Sequence, residues 1–359
     1  MKYKYKVCVY AICKNEEDNV AGWYESVSEA DEIYVLDTGS TDNTVKYLND
    51  RGVFVKSEKI IPWRFDVARN KSLEMVPLDT DICVCIDFDE RFVKGWRKKM
   101  EEVWQDDTTR LRNLYNWKIV NDKSVVTFYY EKTHKRLGYR WTHPVHEILT
   151  YDFGIEKIVT SDEIFLNHYP DSNKSRGSYL ELLELSVKED PEDDRNMHYL
   201  GREYMYYQKW ELAIDTLIKH LKLKKAVWKD ERAASMRFIA RSYVNLDRYD
   251  EAIIWYLKAI DEAPYLRDGY IEYAILLDKM HNYIDVIKYV TLALKIKSHQ
   301  KTYINEGFSW DYTPYNLLSV AYFYLGINDI SLYFIERALQ MDKDNSLLLN
   351  NYEIIKNAE

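Results

Sequence analysis

The chain changes its hydrophobic rhythm near the middle. Up to about residue 170, short apolar runs alternate with helical patterns, whereas beyond about Tyr179 only a helical period persists. Val7–Ile12, Ile33–Leu36 and Ile82–Ile86 are compact, largely β-branched runs, and each predicts a strand buried on both faces. Val53-Phe54-Val55 predicts one more. Between the first two, Asp18-Asn19-Val20 opens a helix that sets Trp23, Val27 and Ala30 on one face, and a second helix runs from Val45 through Leu48. Such alternation predicts parallel strands joined by right-handed crossovers. Val125–Tyr129 alternates like a strand and implies a mixed sheet, and Phe165–Pro170 closes the domain. Asp171–Gly177 is polar and turn-rich, a linker, so the expected domains are 1–172 and 173–359.

The second half repeats itself. Tyr199–Tyr204 precedes Trp210–Ile214, Ile239–Tyr243 precedes Tyr249–Ile253, Tyr270–Leu277 precedes Tyr283–Ile287, and Leu318–Tyr322 precedes Ile330–Leu332. Small residues at the helix crossings, an aromatic before each second helix and a period of about 34 residues resemble tetratricopeptide repeats. Extra residues around Lys224–Arg232 and His299–Tyr312 make the units irregular. Such a solenoid offers a concave groove for a peptide or for self-association into a homodimer. Tyr206, Tyr207, Trp255 and Tyr256 are candidates to line it, and Trp310-Asp311-Tyr312 is a candidate contact.

Composition narrows the class. A formal net charge of −9 argues against a general nucleic-acid binder and for a cytoplasmic protein. No apolar run is long enough for a transmembrane segment, and the basic start Met1–Lys6 leads into a strand, not a signal-peptide core. Cys8, Cys13, Cys83 and Cys85 lack zinc spacing and read as reduced core thiols.

The chemistry gathers at strand ends. Ile82–Ile86 stops in Asp87-Phe88-Asp89-Glu90; residues i and i+2 of a strand share a face, so Asp87 and Asp89 leave it together. Two such carboxylates suit Mg²⁺ or Mn²⁺, whose remaining positions go to substrate phosphates. After the second strand, Gly39 permits a tight turn, and Ser40, Thr41 and Asp42 supply side-chain oxygens. Four ordered segments, Ala11–Glu16, Val35–Thr44, Trp63–Asn70 and Asp87–Glu90, together resemble a family-2 glycosyltransferase of the GT-A fold. The expected architecture is therefore an α/β GT-A domain followed by an all-α repeat solenoid.

The resemblance implies a nucleotide-sugar donor, UDP-linked. It sets Ala11, Cys13, Asn15, Glu17, Asp37, Gly39 and Ser40 by the nucleoside, and Asp66, Arg69, Asp87 and Phe88 toward the diphosphate, ribose or sugar. It makes Asp89 a metal ligand, with His168 completing the metal or touching the diphosphate. In Tyr139–Glu147, where Arg, Trp, two His and Glu cluster around a proline, it makes Glu147 the general base with His146 beside it. Glu90 is the rival base. The pairing with repeats is similar to that in bacterial peptide S-glycosyltransferases, which implies a peptide or protein acceptor. The alternatives are a cell-envelope polysaccharide acceptor, or a non-catalytic scaffold with a vestigial sugar-nucleotide site.

Overall fold

The computed structural model describes residues 3–120, 123–170, 177, 179–300 and 302–358. The chain divides into two compact units, residues 1–186 and 187–359. The stretch read as a linker lies, apart from Gly177, outside the described residues.

The first unit carries strands β1 (Val7–Cys13), β2 (Glu32–Asp37), β3 (Phe54–Ser57), β4 (Ile82–Cys85), β5 (Glu90–Phe92), β6 (Arg110–Val120), β7 (Lys123–Lys135), β8 (Tyr139–Thr142), β9 (Ile148–Tyr151) and β10 (Ile158–His168). Its main helices are α1 (Glu17–Val27), α2 (Thr44–Asn49), α3 (Phe65–Glu74) and α4 (Trp96–Val103). Eight strands form one sheet in the order β3-β2-β1-β4-β7-β6-β10-β5, and β8 pairs with β9 in a separate hairpin. β1 runs parallel to both β2 and β4, so the strand order reverses beside it. Alternation along β1 sorts the core. Val7, Val9 and Ala11 pack with Trp23 of α1 and Trp96 of α4, while Cys8 and Tyr10 face Leu73 of α3 and Trp141 of the hairpin. The four cysteines are free and buried. β3 starts one residue later than expected because the Val53 N–H bonds back to the Leu48 carbonyl (3.2 Å); Phe54, on this edge strand, is exposed and stacks on Tyr34 at 4.9 Å.

After α5 (Tyr179–Glu189) come the hairpins α6 (Asp194–Tyr206) with α7 (Trp210–Lys222), α8 (Lys229–Asn245) with α9 (Tyr249–Glu262), α10 (Arg267–Lys279) with α11 (Tyr283–Lys295), and α12 (Thr313–Tyr324) with α13 (Asn328–Met341), then α14 (Ser346–Lys356). Small residues sit where helices cross. A Cβ on Gly201 would lie 2.5 Å from Leu217 Cγ, and Ala213, Ala240, Ala252, Ala274, Ala293 and Ala321 are buried. Two of the aromatics expected to meet a partner are packed internally: Tyr256 is buried, and Trp310 stacks on His299 at 4.2 Å and under Arg267 at 3.7 Å. No helix among the described residues is long and apolar enough to cross a membrane.

Candidate active site

The carboxyl ends of β1, β2 and β4 meet where the strand order reverses, the place an open α/β sheet offers a ligand. Two loops there are stitched together. Asn15, in the left-handed region at φ +55°, donates its N–H to Ser40 Oγ (2.9 Å) and accepts from Thr41 N–H (2.7 Å). Glu17 accepts from the backbone and side chain of Asn43 (3.0 and 2.9 Å). Asp37 accepts from Ser40 N–H (2.9 Å); burial works to raise its pKa, but hydrogen bonds from Ser40, Ser57 and Gly39 outweigh it and hold the carboxyl low. Gly39, at φ +118°, is the residue that allows this turn.

Beside these loops runs a chain of alternating charge. Arg69, only 5% exposed on α3, pairs through Nη1 with Asp87 Oδ1 (2.9 Å), through Nη2 with Asp87 Oδ2 (3.1 Å) and through Nε with Glu147. Lys132 of β7 reaches Asp87 (2.6 Å) and Glu90 (3.2 Å). Burial opposes ionisation of Asp87, yet the two cations hold it well below the usual carboxylate range. Glu90 is 2% exposed, accepts the Asp87 N–H (2.8 Å) and is raised by burial first, against Lys132. Its carboxylate thus shapes the turn after β4. Asp66 is gripped by Arg64 through two nitrogens (3.0 and 2.9 Å).

Asp89 stands apart from that chain. Its Oδ2 lies 3.4 Å from His168 Nε2. His168 Nδ1 must donate to the Trp117 carbonyl at 3.1 Å, because a carbonyl only accepts. Nε2 therefore meets the carboxylate either as an imidazolium N–H or as a lone pair with a cation between. Burial lowers the pKa of His168, but the hydrogen bond and charge of Asp89 prevail and raise it. Among the described residues no cluster of three or more ligating side chains forms.

The turn between β8 and β9 holds His143 and His146 at φ +76° and +50°, strained for non-glycine residues, just before Glu147. His146 packs edge-on to Tyr179, with ring centres 5.9 Å apart. The turn is tied to α3 by reciprocal bonds between Asn70 and the Trp141 backbone (2.8 Å each). Beneath it, Trp141 Nε1 donates to the Tyr10 hydroxyl (2.8 Å), which donates to His134 Nε2 (2.8 Å), while His134 Nδ1 donates to Lys135 O (2.6 Å). Burial pushes His134 down to about 3. The unfolded imidazole binds a proton near pH 6.5 and the folded one does not, so this residue's contribution is intact at pH 7 and is lost as pH falls toward 3. Between pH 6.5 and 5 the loss should be about 2 kcal/mol. Urea melts at both pH values should show it, and a His134→Asn variant should show a smaller drop.

The structure thus brings Asn15, Glu17, Asp37, Gly39 and Ser40 to one pair of loops, and Arg69, Asp87 and Glu147 to one ion network. Phe88 is a correction. It points away from the Asp87 face, is buried and stacks on Trp23 at 4.2 Å, so it belongs to the core. Ala11 and Cys13 are likewise buried within β1; Cys13 contributes its carbonyl, which accepts from Thr38 (2.9 Å). Sequence reading missed Lys132 and Arg64. The pairing of Cys83 with His134, carried two residues on, sets Lys132 across from Cys85 and within reach of Asp87; only that register reveals it.

Residues 8–153 match the family model described as glycosyl transferase family 2. No curated protein sequence matches the chain. Similar solved structures include MamA, 20% identical over 46% of this chain and 81% of that one, with a TM-score of 0.37. YrrB, a TPR protein with an unusual peptide-binding site, is 13% identical over 49% of this chain and 83% of its own, with a TM-score of 0.37. TTC0263, a thermophilic TPR protein in Thermus thermophilus, is 15% identical over 51% of this chain and 91% of its own, with a TM-score of 0.36.

Proposed function

Because residues 8–153 form a glycosyltransferase domain of family 2, we propose that the chain transfers one sugar from a UDP-linked donor to a peptide or protein acceptor, with inversion. The observation that carries this reading is the Arg69 guanidinium joining Asp87 at the end of β4 to Glu147 in the β8–β9 turn. The nucleoside occupies the stitched loops around Asn15, Asp37 and Ser40, where Asp37 is already ionised and oriented by its own hydrogen bonds. Asp87, fixed by two cations, presents a carboxylate to sugar or ribose hydroxyls. Glu147 takes the proton from the acceptor nucleophile, held in place by Arg69. The nucleophile forms its bond to the anomeric carbon from the face opposite the departing diphosphate, which leaves with the electron pair of the broken bond.

Asp89 and His168 fit a divalent cation, since one carboxylate and one imidazole nitrogen converge and substrate phosphates complete the set. When bound, Mn²⁺ or Mg²⁺ offsets charge on the leaving diphosphate. Donor hydrolysis tests the assignment. In Asp89→Ala, turnover of UDP-sugar with Mn²⁺ should fall on the order of 10²-fold; unchanged turnover removes Asp89 from the reaction.

One observation favours a saccharide acceptor as a second reading. A cleft of about 360 Å³ in the first unit includes Asn116, Asn167, Ser124 and Tyr169 in its lining. Asn116 and Asn167 are bonded to each other (2.7 Å), and Thr127 donates to Asn116 (2.8 Å). Amides and hydroxyls of this kind match a hydroxyl-rich ligand. Transfer to oligosaccharides but not to peptides would select it.

A further inference from the structure

The segment between α11 and α12 behaves as a ligand of the helices it crosses. First helices of the hairpins pack against one another, α6 on α8, α8 on α10 and α10 on α12, so they line the inner face of the second unit. Residues 302–310 lie on that face. Arg237 of α8, 1% exposed, donates to the Ile304 carbonyl (2.9 Å). Asp268 of α10 accepts from the Glu306 N–H (2.6 Å) and from the Asn305 side chain (3.2 Å). Arg241 pairs with the Glu306 carboxylate, and Glu231 accepts from the Tyr303 hydroxyl. Ile304 is buried, and the Tyr303 ring rests 5.6 Å from that of Trp228.

Two features mark this as recognition of a peptide rather than ordinary loop packing. Helix side chains read the segment's backbone from both sides, a guanidinium on a carbonyl and a carboxylate on an N–H. The helices also lose partners without it. Arg241 divides its pairing between Glu272 and Glu306, while Arg237 keeps Glu272 and the charge of nearby Asp268. Fully buried Asp268 has as its side-chain hydrogen-bond donors among the described residues only Asn305 and Glu306. A buried group stripped of its partner costs free energy, so the face calls for an occupant that brings a backbone N–H to Asp268, a carbonyl to Arg237 and a carboxylate to Arg241.

We infer that the inner face of α6, α8 and α10 is a binding site for an extended peptide of the pattern aromatic–aliphatic–amide–acid, held shut in cis by the chain's own residues 302–310. A partner peptide carrying that pattern engages the face by displacing the segment.

The test is made in the full chain, with residues 302–310 replaced by a Gly/Ser stretch of equal length. A labelled peptide with the sequence of residues 302–312 is titrated onto this variant and onto the unaltered chain by fluorescence anisotropy. Tethering gives the native segment an effective concentration of the order of mM. The peptide should therefore bind the variant at least about tenfold more tightly than the unaltered chain, and a Glu306→Lys peptide should bind about tenfold more weakly. Equal binding to both chains, or equal binding by a scrambled peptide, overturns the inference. If the replacement unfolds the repeats, Glu306→Gln in the full chain decides by hydrogen exchange. Faster exchange confined to 302–310 supports a detachable segment. Unchanged exchange, or loosening of α8 and α10 together with it, shows a part of the core and overturns the inference.

Discussion

Arg69→Met should destabilise the first unit by about 3–5 kcal/mol and abolish transfer. Met keeps the volume and the contact with the Trp141 ring, over which the guanidinium now lies at 5.1 Å, but removes the charge between Asp87 and Glu147. Asp87 keeps Lys132, whereas Glu147 loses the guanidinium it pairs with in a site where it is mostly buried. The sign of the pH dependence follows from Asp87. Its folded pKa is depressed, so its contribution is present above the unfolded value, about 3.9, and disappears as pH falls below it. The gap between Arg69→Met and the unaltered chain should be widest at neutral pH and narrow in acid. Denaturant melts across pH would show this, and a loss under about 1 kcal/mol at pH 7 would mean the network is not the keystone of the site. Arg69→Lys should rescue only part, since an ammonium cannot span two carboxylates as a planar fork does.

Glu147→Gln should lower kcat by about 10²–10⁴-fold while leaving donor affinity within about twofold. The amide oxygen still accepts from Arg69 Nε, so the turn keeps its place, but no carboxylate remains to take the acceptor proton. Glu90→Gln provides the contrast. Glu90 is enclosed by Lys132 and the Asp87 N–H, so its loss should appear in stability before it appears in kcat. Full transfer by Glu147→Gln alongside an inactive but folded Glu90→Gln would make Glu90 the base.

Much of this arrangement is legible in the sequence because the buried strands advertise themselves. β1, β2 and β4 are unbroken apolar runs, and the polar residues that end them, Asp37 and Asp87, fall where the sheet's topology gathers loops. The repeat period likewise announces the helical hairpins. The rest depends on register. β6 and β7 carry Arg110, Arg112, Glu131 and Lys132, and only the pairing shows Arg110 and Arg112 meeting Glu131, and Lys132 meeting Asp87. Phe88 illustrates the opposite failure. Flanked by Asp87 and Asp89, it invites a functional role, yet the turn after β4 sends its ring to Trp23 and the core. Trp310 reads as available because it lies outside a helix, and the fold of its insertion encloses it.

The repeats also bear on the acceptor. A peptide acceptor that uses the inner face of α6, α8 and α10 must compete with residues 302–310, so removal of that segment should matter for peptides and not for saccharides.

The central claim is a nucleotide-sugar site at the ends of β1, β2 and β4. Calorimetric titration of the full chain with UDP and then a panel of UDP-sugars, with and without Mn²⁺, tests it most directly. Binding that requires the metal, discriminates among the sugars and is lost in Asp89→Ala is the predicted result. Failure of every nucleotide to bind, with the protein folded and Mn²⁺ present, would contradict it.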